Sequence, residues 1–140
     1  MVLLVAACAL IDPDGRVLIS QRPHGSHQAG LWEFPGGKLE QGERPEQAIV
    51  RELREELGIE PCERCLQPFN FTSYAYQDFN LLMPLYLCRE WDGIVRGQEG
   101  QFIKWVFPDR LMNYKFVPAD ISLARELKDR LPRGSRFVGS

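Results

Sequence analysis

Between Pro45 and Gly58 the chain reads Pro-Glu-Gln-Ala-Ile-Val-Arg-Glu-Leu-Arg-Glu-Glu-Leu-Gly, and no other stretch limits the possible folds as tightly. Proline suits the first turn of a helix, where its missing N–H is not needed, and glycine suits the left-handed residue just past the end. The spacing therefore predicts a helix between these two residues. At about 100° per residue, Ile49, Val50, Leu53 and Leu57 share one arc, the stripe that must face a core. Glu52, Glu55 and Glu56 fall in the neighbouring arc. Carboxylates at i, i+3 and i+4 repel one another by roughly a few tenths of a kcal/mol per pair. Either surface ion pairs with Arg51 and Arg54 or a bound cation must offset that repulsion.

The segment upstream favours the cation. Phe34-Pro35-Gly36-Gly37-Lys38 puts two glycines where backbone can approach a ligand closely and leave carbonyls exposed. A hard divalent ion such as magnesium takes carboxylate, carbonyl and water oxygens, usually together with substrate phosphates. A glycine loop facing a three-carboxylate helix supplies that donor set.

The rest of the chain reads as one folded unit. Its 140 residues, 44% of them hydrophobic, suit a single domain, expected over residues 1–132 with 133–140 as a flexible tail. Lys and Arg total 17 against 19 Asp and Glu, and the net charge of −2 offers no general attraction to polymeric nucleic acid or an anionic membrane. The apolar run Val2 to Ile11 is too short to span a bilayer and lacks a basic leader and a cleavage site, so a cytoplasmic protein is expected. Cys8 and Cys88 lie in apolar runs where a thiol acts as a small hydrophobe. Cys62-x-x-Cys65 has no second ligand pair, since His24 and His27 lie in another loop. Neither a disulfide framework nor a zinc or redox role is expected.

Val2 to Ile11 and Arg16 to Ser20, flanking Asp12-Pro13-Asp14-Gly15, read as a β-hairpin. Arg22 to Gly37 reads as an irregular functional loop, in which His24 and His27 are solvated rather than catalytic. Further strands are expected at Gln67 to Tyr76, Phe79 to Arg89 and Phe102 to Phe107, with a turn through Trp91-Asp92-Gly93. A last helix spans Ile121 to Leu131, with Leu123, Leu127 and Leu131 on one face. Strands interleaved with two helices imply an α/β or α+β domain whose helices pack on a mixed sheet. There is no G-x-S-x-G motif, and Gly36-Gly37-Lys38-Leu39 is not a P-loop.

Gly37, five residues, Glu43, seven residues, and then Arg51-Glu52-Leu53-Arg54-Glu55-Glu56-Leu57-Gly58-Ile59 resembles the Nudix box at every defined position. So many fixed positions make it far more specific than a lone glycine motif. Gln21-Arg22-Pro23, Trp32 through Glu40, the stretch from Trp91 to Trp105 and Val117-Pro118-Ala119-Asp120 are similar to the MutT branch of that family. The resemblance implies an α/β/α sandwich with a mixed β-sheet between helices. It also implies a magnesium requirement, with manganese as a substitute, and cleavage of a nucleoside triphosphate to the monophosphate and pyrophosphate. The partner is then a small nucleotide, and monomer and homodimer are both open.

By position, the resemblance makes Glu52, Glu55 and Glu56 metal ligands and adds the Gly36 carbonyl and Glu99 from a distant loop. Glu43 orients Arg51 through a charge-assisted hydrogen bond. Glu52 or Glu55 takes the proton of the attacking water. Arg22 lies near the phosphates or the ribose, and Gly37 and Lys38 near the phosphates. Phe34 and Asp120 are candidates for reading the base, and Phe79 falls where some relatives carry a base-contacting Arg. Each has a plainer role available: Phe79 as a core-facing strand residue, Asp120 as the N-cap of the last helix. Trp91 and Trp105 are expected to pack.

Relatives that prefer 8-oxo-dGTP often show Asn where Asp120 stands, whereas the sub-branch acting on CTP and modified pyrimidine nucleotides shows Pro-Ala-Asp. An ionised Asp only accepts hydrogen bonds, and a protonated one recovers a donor. The expected function is removal of damaged nucleotides, 8-oxo-dGTP first, before a polymerase incorporates them. CTP, a modified pyrimidine triphosphate or a dinucleoside polyphosphate is the alternative substrate, and a non-catalytic nucleotide-binding module is the alternative class.

Overall fold

An unbroken apolar run suits a strand covered on both faces, and β1 (Val2–Leu10) takes such a place. In the computed structural model, which describes residues 1–132, β1 pairs antiparallel with β4 (Gly36–Lys38) along one edge. Along the other it runs parallel to β7 (Asn80–Cys88), which is antiparallel to β6 (Gln67–Ala75). The result is a four-stranded mixed sheet in the order β4-β1-β7-β6. Successive side chains of β1 alternate between faces. Ala7, Ala9 and Ile11 join one core with Leu123, Ala124 and Leu127 of α2 (Ile121–Arg130). Ala6, Cys8 and Leu10 join another with Ala48, Ile49, Leu53 and Leu57 of α1 (Pro45–Leu57). The sheet thus lies between the two helices, as an α/β/α sandwich.

The apolar stripe holds α1 against this sheet, each fully buried leucine or isoleucine contributing about 1.5–3 kcal/mol. Val50 sits at the stripe's margin, half-buried. Gly58 ends the helix at φ 69°, its N–H donated to the Arg54 carbonyl. At the other end Arg44 N–H donates to the Gln47 side chain at 2.9 Å. No helix among the described residues is long and apolar enough to cross a membrane.

A second, antiparallel sheet orders β3 (Trp32–Glu33), β2 (Val17–Gln21) and β9 (Phe102–Val106), and β5 (Glu60–Pro61) pairs with β8 (Trp91–Asp92). Trp91 and Trp105 stack with ring centroids 6.1 Å apart, so both tryptophans pack as expected. Short 3-10 turns occupy Glu63–Cys65, Pro108–Asn113 and Pro118–Asp120. The expected strands and final helix begin and end within one residue of the observed ones; the expected tail at 133–140 lies outside the described residues.

Three expectations need correction. Trp91 and Asp92, expected in a turn, form β8 instead, because they pair with Pro61 and Glu60 just after α1. The Asp12–Gly15 turn forms, with Gly15 N–H donating to the Asp12 carbonyl and Asp12 Oδ1 accepting from the Arg16 N–H. Beyond the single bridge between Ile11 and Val17 the two strands part into different sheets, so there is no hairpin ladder. Both edges of β1 are already taken by β4 and β7. No disulfide was expected among the four cysteines, yet Cys62 and Cys65 form one. The 3-10 turn between them, closed by Cys65 N–H to the Cys62 carbonyl at 3.0 Å, brings their Cα atoms to 5.2 Å, inside the range a disulfide spans.

Candidate active site

The glycine loop and α1 meet where side chains are missing. On Gly36 an added Cβ would stand 2.7 Å from Ala7 Cα, so only glycine lets β4 lie this close against β1. On Gly37 it would stand 2.5 and 2.7 Å from the two Glu52 carboxylate oxygens. Glycine therefore leaves the room in which the Glu52 carboxylate sits against the loop.

Arg51 brackets this junction. Its guanidinium donates to both Glu43 oxygens (2.9 and 3.0 Å), to Glu52 Oε1 (2.7 Å) and to the Lys38 carbonyl (2.8 Å). Charge-assisted bonds of this kind fix direction as well as attraction. Glu43 also accepts the Glu40 N–H, and with Arg51 this lowers its carboxyl to about 2. Arg54 points elsewhere and clasps Glu60 at 2.8 and 3.0 Å.

Glu56 lies against Glu52 in partly desolvated surroundings. Burial first, then a hydrogen bond with Glu52 and the charges of Glu52, Glu33 and Glu99, hold its carboxyl well above the usual range. Glu55, on the exposed side of α1, and Glu99 extend the same acidic face. The loop carrying Glu99 reaches it by satisfying the open carbonyls at the C-terminal end of α1. Gln98 N–H and Gln101 Nε2 both donate to the Glu56 carbonyl (2.9 and 3.0 Å), Arg96 N–H donates to that of Leu57, and Gln101 Oε1 accepts the Glu99 N–H. Carboxylates crowded beside a glycine loop fit a hard divalent cation, because such an ion favours the ionised form that burial and the neighbouring carboxylates disfavour at Glu56. Glu52, Glu55, Glu56, Glu99 and the Gly36 carbonyl could hold it.

Beside this acidic face opens a cleft of about 480 Å³, whose lining includes Arg22, Glu33, Lys38, Tyr76, Phe79 and Asp120. Tyr76 and Phe79 stack at 5.1 Å and give it an aromatic wall. Arg22 is held by Glu33 at 3.1 Å and by the His27 carbonyl at 2.6 Å. Asp120 is buried, 3% exposed, and its Oδ2 accepts the Phe34 N–H at 2.9 Å. Burial above all raises its carboxyl to about 7; the Phe34 N–H opposes the rise and the Glu33 charge adds to it. Glu33, itself raised mainly by burial, acts on Glu56 at one end and Asp120 at the other, and so links the two regions.

A NUDIX domain family model matches residues 6–125. The chain belongs to the Nudix family. Within it the chain is MutT-like: it is 36% identical over 126 residues to the Escherichia coli 8-oxo-dGTP diphosphatase, spanning 90% of this chain and 96% of that one. It is 38% identical over 125 residues to the Escherichia coli CTP pyrophosphohydrolase, spanning 88% and 90%. A MutT structure from work on Aliivibrio salmonicida and Vibrio cholerae superposes with a TM-score of 0.80 at 34% identity, covering 94% of this chain and all of that one. Nudix hydrolases require a divalent metal, and the carboxylate face of this one meets that chemistry.

Among the residues singled out from the sequence, Gly36, Gly37, Glu43, Arg51, Glu52 and Glu56 converge at one junction, and Arg22, Lys38, Phe79 and Asp120 line the cleft beside it. Phe34 is the exception. Its ring is 4% exposed and stacks on Phe116 at 5.3 Å inside the core, so only its backbone N–H serves the site. A phenylalanine between a strand and two glycines offers no local sign of which way its ring turns. Asp120 precedes α2 but makes no side-chain cap there; its Oδ2 accepts the Phe34 N–H instead. Glu33, Tyr76, Gln98 and Gln101 were missed. None has a motif of its own, and each acquires its place through contacts distant in sequence.

Proposed function

We propose that this Nudix hydrolase is a magnesium-dependent pyrophosphohydrolase that cleaves oxidised nucleoside triphosphates, 8-oxo-dGTP above all, to the monophosphate and pyrophosphate. One observation carries the reading: Arg22, Lys38, Tyr76, Phe79 and the buried Asp120 line one cleft of nucleotide size, and Glu33, which also lines it, stands near enough to Glu56 for its charge to raise that carboxyl. The similarity to a MutT-type diphosphatase supports it.

Held by Glu52, Glu55, Glu56, Glu99 and the Gly36 carbonyl, magnesium, or manganese in its place, would neutralise polyphosphate charge and polarise an attacking water. The protein's own groups do the rest. Arg51 locks Glu52 against the glycine loop, and Glu43 locks Arg51. Arg22 and Lys38 meet the phosphates, and a carboxylate of the α1 set, Glu52 or Glu55, accepts the water's proton. Tyr76 and Phe79 stack on the base, an interaction worth about 1–3 kcal/mol.

Asp120 reads the base edge. With its carboxyl raised to about 7 it presents an O–H donor beside a carbonyl acceptor in a large share of molecules at neutral pH. 8-Oxoguanine offers N7–H beside O6, which complements that pair, whereas guanine offers two acceptors there. Cytosine, with an N4 donor beside the N3 acceptor, complements it too. That match and the 38% identity to a CTP pyrophosphohydrolase make CTP the second reading. The nucleotide pool that feeds a polymerase is cytoplasmic, and there the enzyme would work.

Turnover of a nucleotide panel with magnesium tests the proposal. The kcat/KM for 8-oxo-dGTP should exceed that for dGTP at least tenfold; a ratio of one or less sinks it, and CTP as the preferred substrate selects the second reading. Glu56→Gln should lower turnover by orders of magnitude with the fold intact. A wild type that binds nucleotides and hydrolyses none would make the chain a binding module.

A further inference from the structure

The turn that follows α1 holds a second set of ligating atoms, outside the cleft. Cys62 and Cys65 bracket the Glu63–Cys65 turn, and the Glu90 carboxylate stands beside them: the two sulfurs and a Glu90 oxygen all lie within 4.8 Å of one another. Glu90 is fixed from behind, because its carbonyl accepts the Cys62 N–H at 3.0 Å and the Cys88 thiol at 3.3 Å. The adjoining pairing of Pro61 with Trp91 holds the two segments in register. Solvent reaches the group: both cysteines are half-buried, Glu90 is exposed, and Cys62 and Glu90 line a surface cleft.

We propose that Cys62, Cys65 and Glu90 form a thiol-gated binding site for a thiophilic divalent cation of the zinc class, closed while the disulfide stands and opened by a dithiol. In the opening step a thiolate of the dithiol attacks one sulfur of the Cys62–Cys65 bond. Two electrons pass to the cysteine pair, the dithiol leaves as its own disulfide, and the two new thiols release their protons as the cation binds. The geometry needs little change. Zinc–sulfur bonds of about 2.3 Å place two thiolates roughly 3.8 Å apart in a tetrahedron, a separation open to two cysteines on one tight turn once the bond between them is reduced. The carboxylate is already near, and water completes the fourth position. Cys-x-x-Cys is the spacing that sets two thiolates on one ion. The two sites of this chain also differ in kind, since carboxylate and carbonyl oxygens on the α1 face suit magnesium whereas thiolate sulfur selects softer ions.

The test uses the full chain, reduced with dithiothreitol, desalted without oxygen and titrated with cobalt(II) as a coloured stand-in for zinc, with excess magnesium present to fill the carboxylate face. A sulfur-to-cobalt charge-transfer band should grow to one equivalent, stay absent from the oxidised chain and vanish on adding zinc. It should be lost in Cys62→Ser and in Cys65→Ser, and Glu90→Gln should weaken cobalt binding at least tenfold. No band in the reduced wild type, or a band that survives either serine variant, overturns the site. Unchanged affinity in Glu90→Gln overturns the three-ligand set. Should the serine variants fail to fold, alkylation of the reduced wild type decides. Zinc must protect Cys62 and Cys65 from iodoacetamide, and equal labelling with and without zinc refutes the proposal.

Discussion

Gly37 and Asp120 show how differently two residues enter the same site. Gly37 matters for what it lacks, since any side chain would stand where the Glu52 carboxylate is. Asp120 matters for its surroundings, because a carboxyl this deeply buried resists ionisation. Its rise from 3.8 to about 7 amounts to about 4 kcal/mol of linkage at 1.36 kcal/mol per pH unit. A carboxyl whose folded-state value is raised binds its proton longer folded than unfolded. Its stabilising contribution is complete below about pH 4 and is lost as pH rises through about 7. Asp120→Asn keeps an acceptor for the Phe34 N–H and removes the titration. Urea unfolding should therefore show the variant gaining on wild type by up to about 4 kcal/mol between pH 4 and pH 8; a difference that stays flat rules out a buried, neutral Asp120. The sequence pointed to both residues, but not to Phe34 facing inward or to Glu33 between the two ends, because side-chain direction depends on what lies across the fold.

At the scale of elements, α1 was legible from its own pattern: proline at the start, glycine at the end, an apolar stripe and an acidic stripe beside it. What α1 does in the site depends on its exposed C-terminal carbonyls, which the loop carrying Glu99 ties down through Gln98 and Gln101. Gln101→Ala removes two hydrogen bonds, one to the Glu56 carbonyl and one from the Glu99 N–H. Stability should fall by about 0.5–1.5 kcal/mol per bond. Because Glu99 is then no longer held beside α1, binding of the divalent cation should weaken more than roughly tenfold. Calorimetric titration with manganese measures this, and unchanged affinity would leave the loop without a role at the site. The Asp12–Gly15 turn carries the opposite lesson. Its chemistry was read correctly, yet a turn only fixes a reversal of direction, and the competition of β4 and β7 for the edges of β1 decided the pairing.

Over the whole molecule, the sheet separates two cores and leaves the acidic face of α1 partly desolvated beside the cleft. Such a face folds with its repulsion only partly offset, by Arg51 on Glu52, so divalent ions should stabilise the native chain. At a hundredfold excess over Kd the gain is about 2.7 kcal/mol, an increase in Tm on the order of 10 °C for a chain of this length. Magnesium or manganese should raise Tm, a chelator should return it to the starting value, and Glu56→Gln should blunt the response. A Tm indifferent to both ions would contradict a metal platform on α1.

By itself, the sequence determined the helix and its carboxylate face, where the longer strands lie along the chain, the family and hence the sandwich, because each is written in local spacing of period two or near 3.6 and in a dense motif. Tertiary structure alone decided the partners of β1, the inward turn of Phe34, the buried acceptor role of Asp120, the place of Glu33, Tyr76 and Gln101, and the closure of Cys62 on Cys65 next to Glu90. These depend on contacts between segments far apart along the chain, and a one-dimensional pattern records such contacts only where a motif happens to encode them.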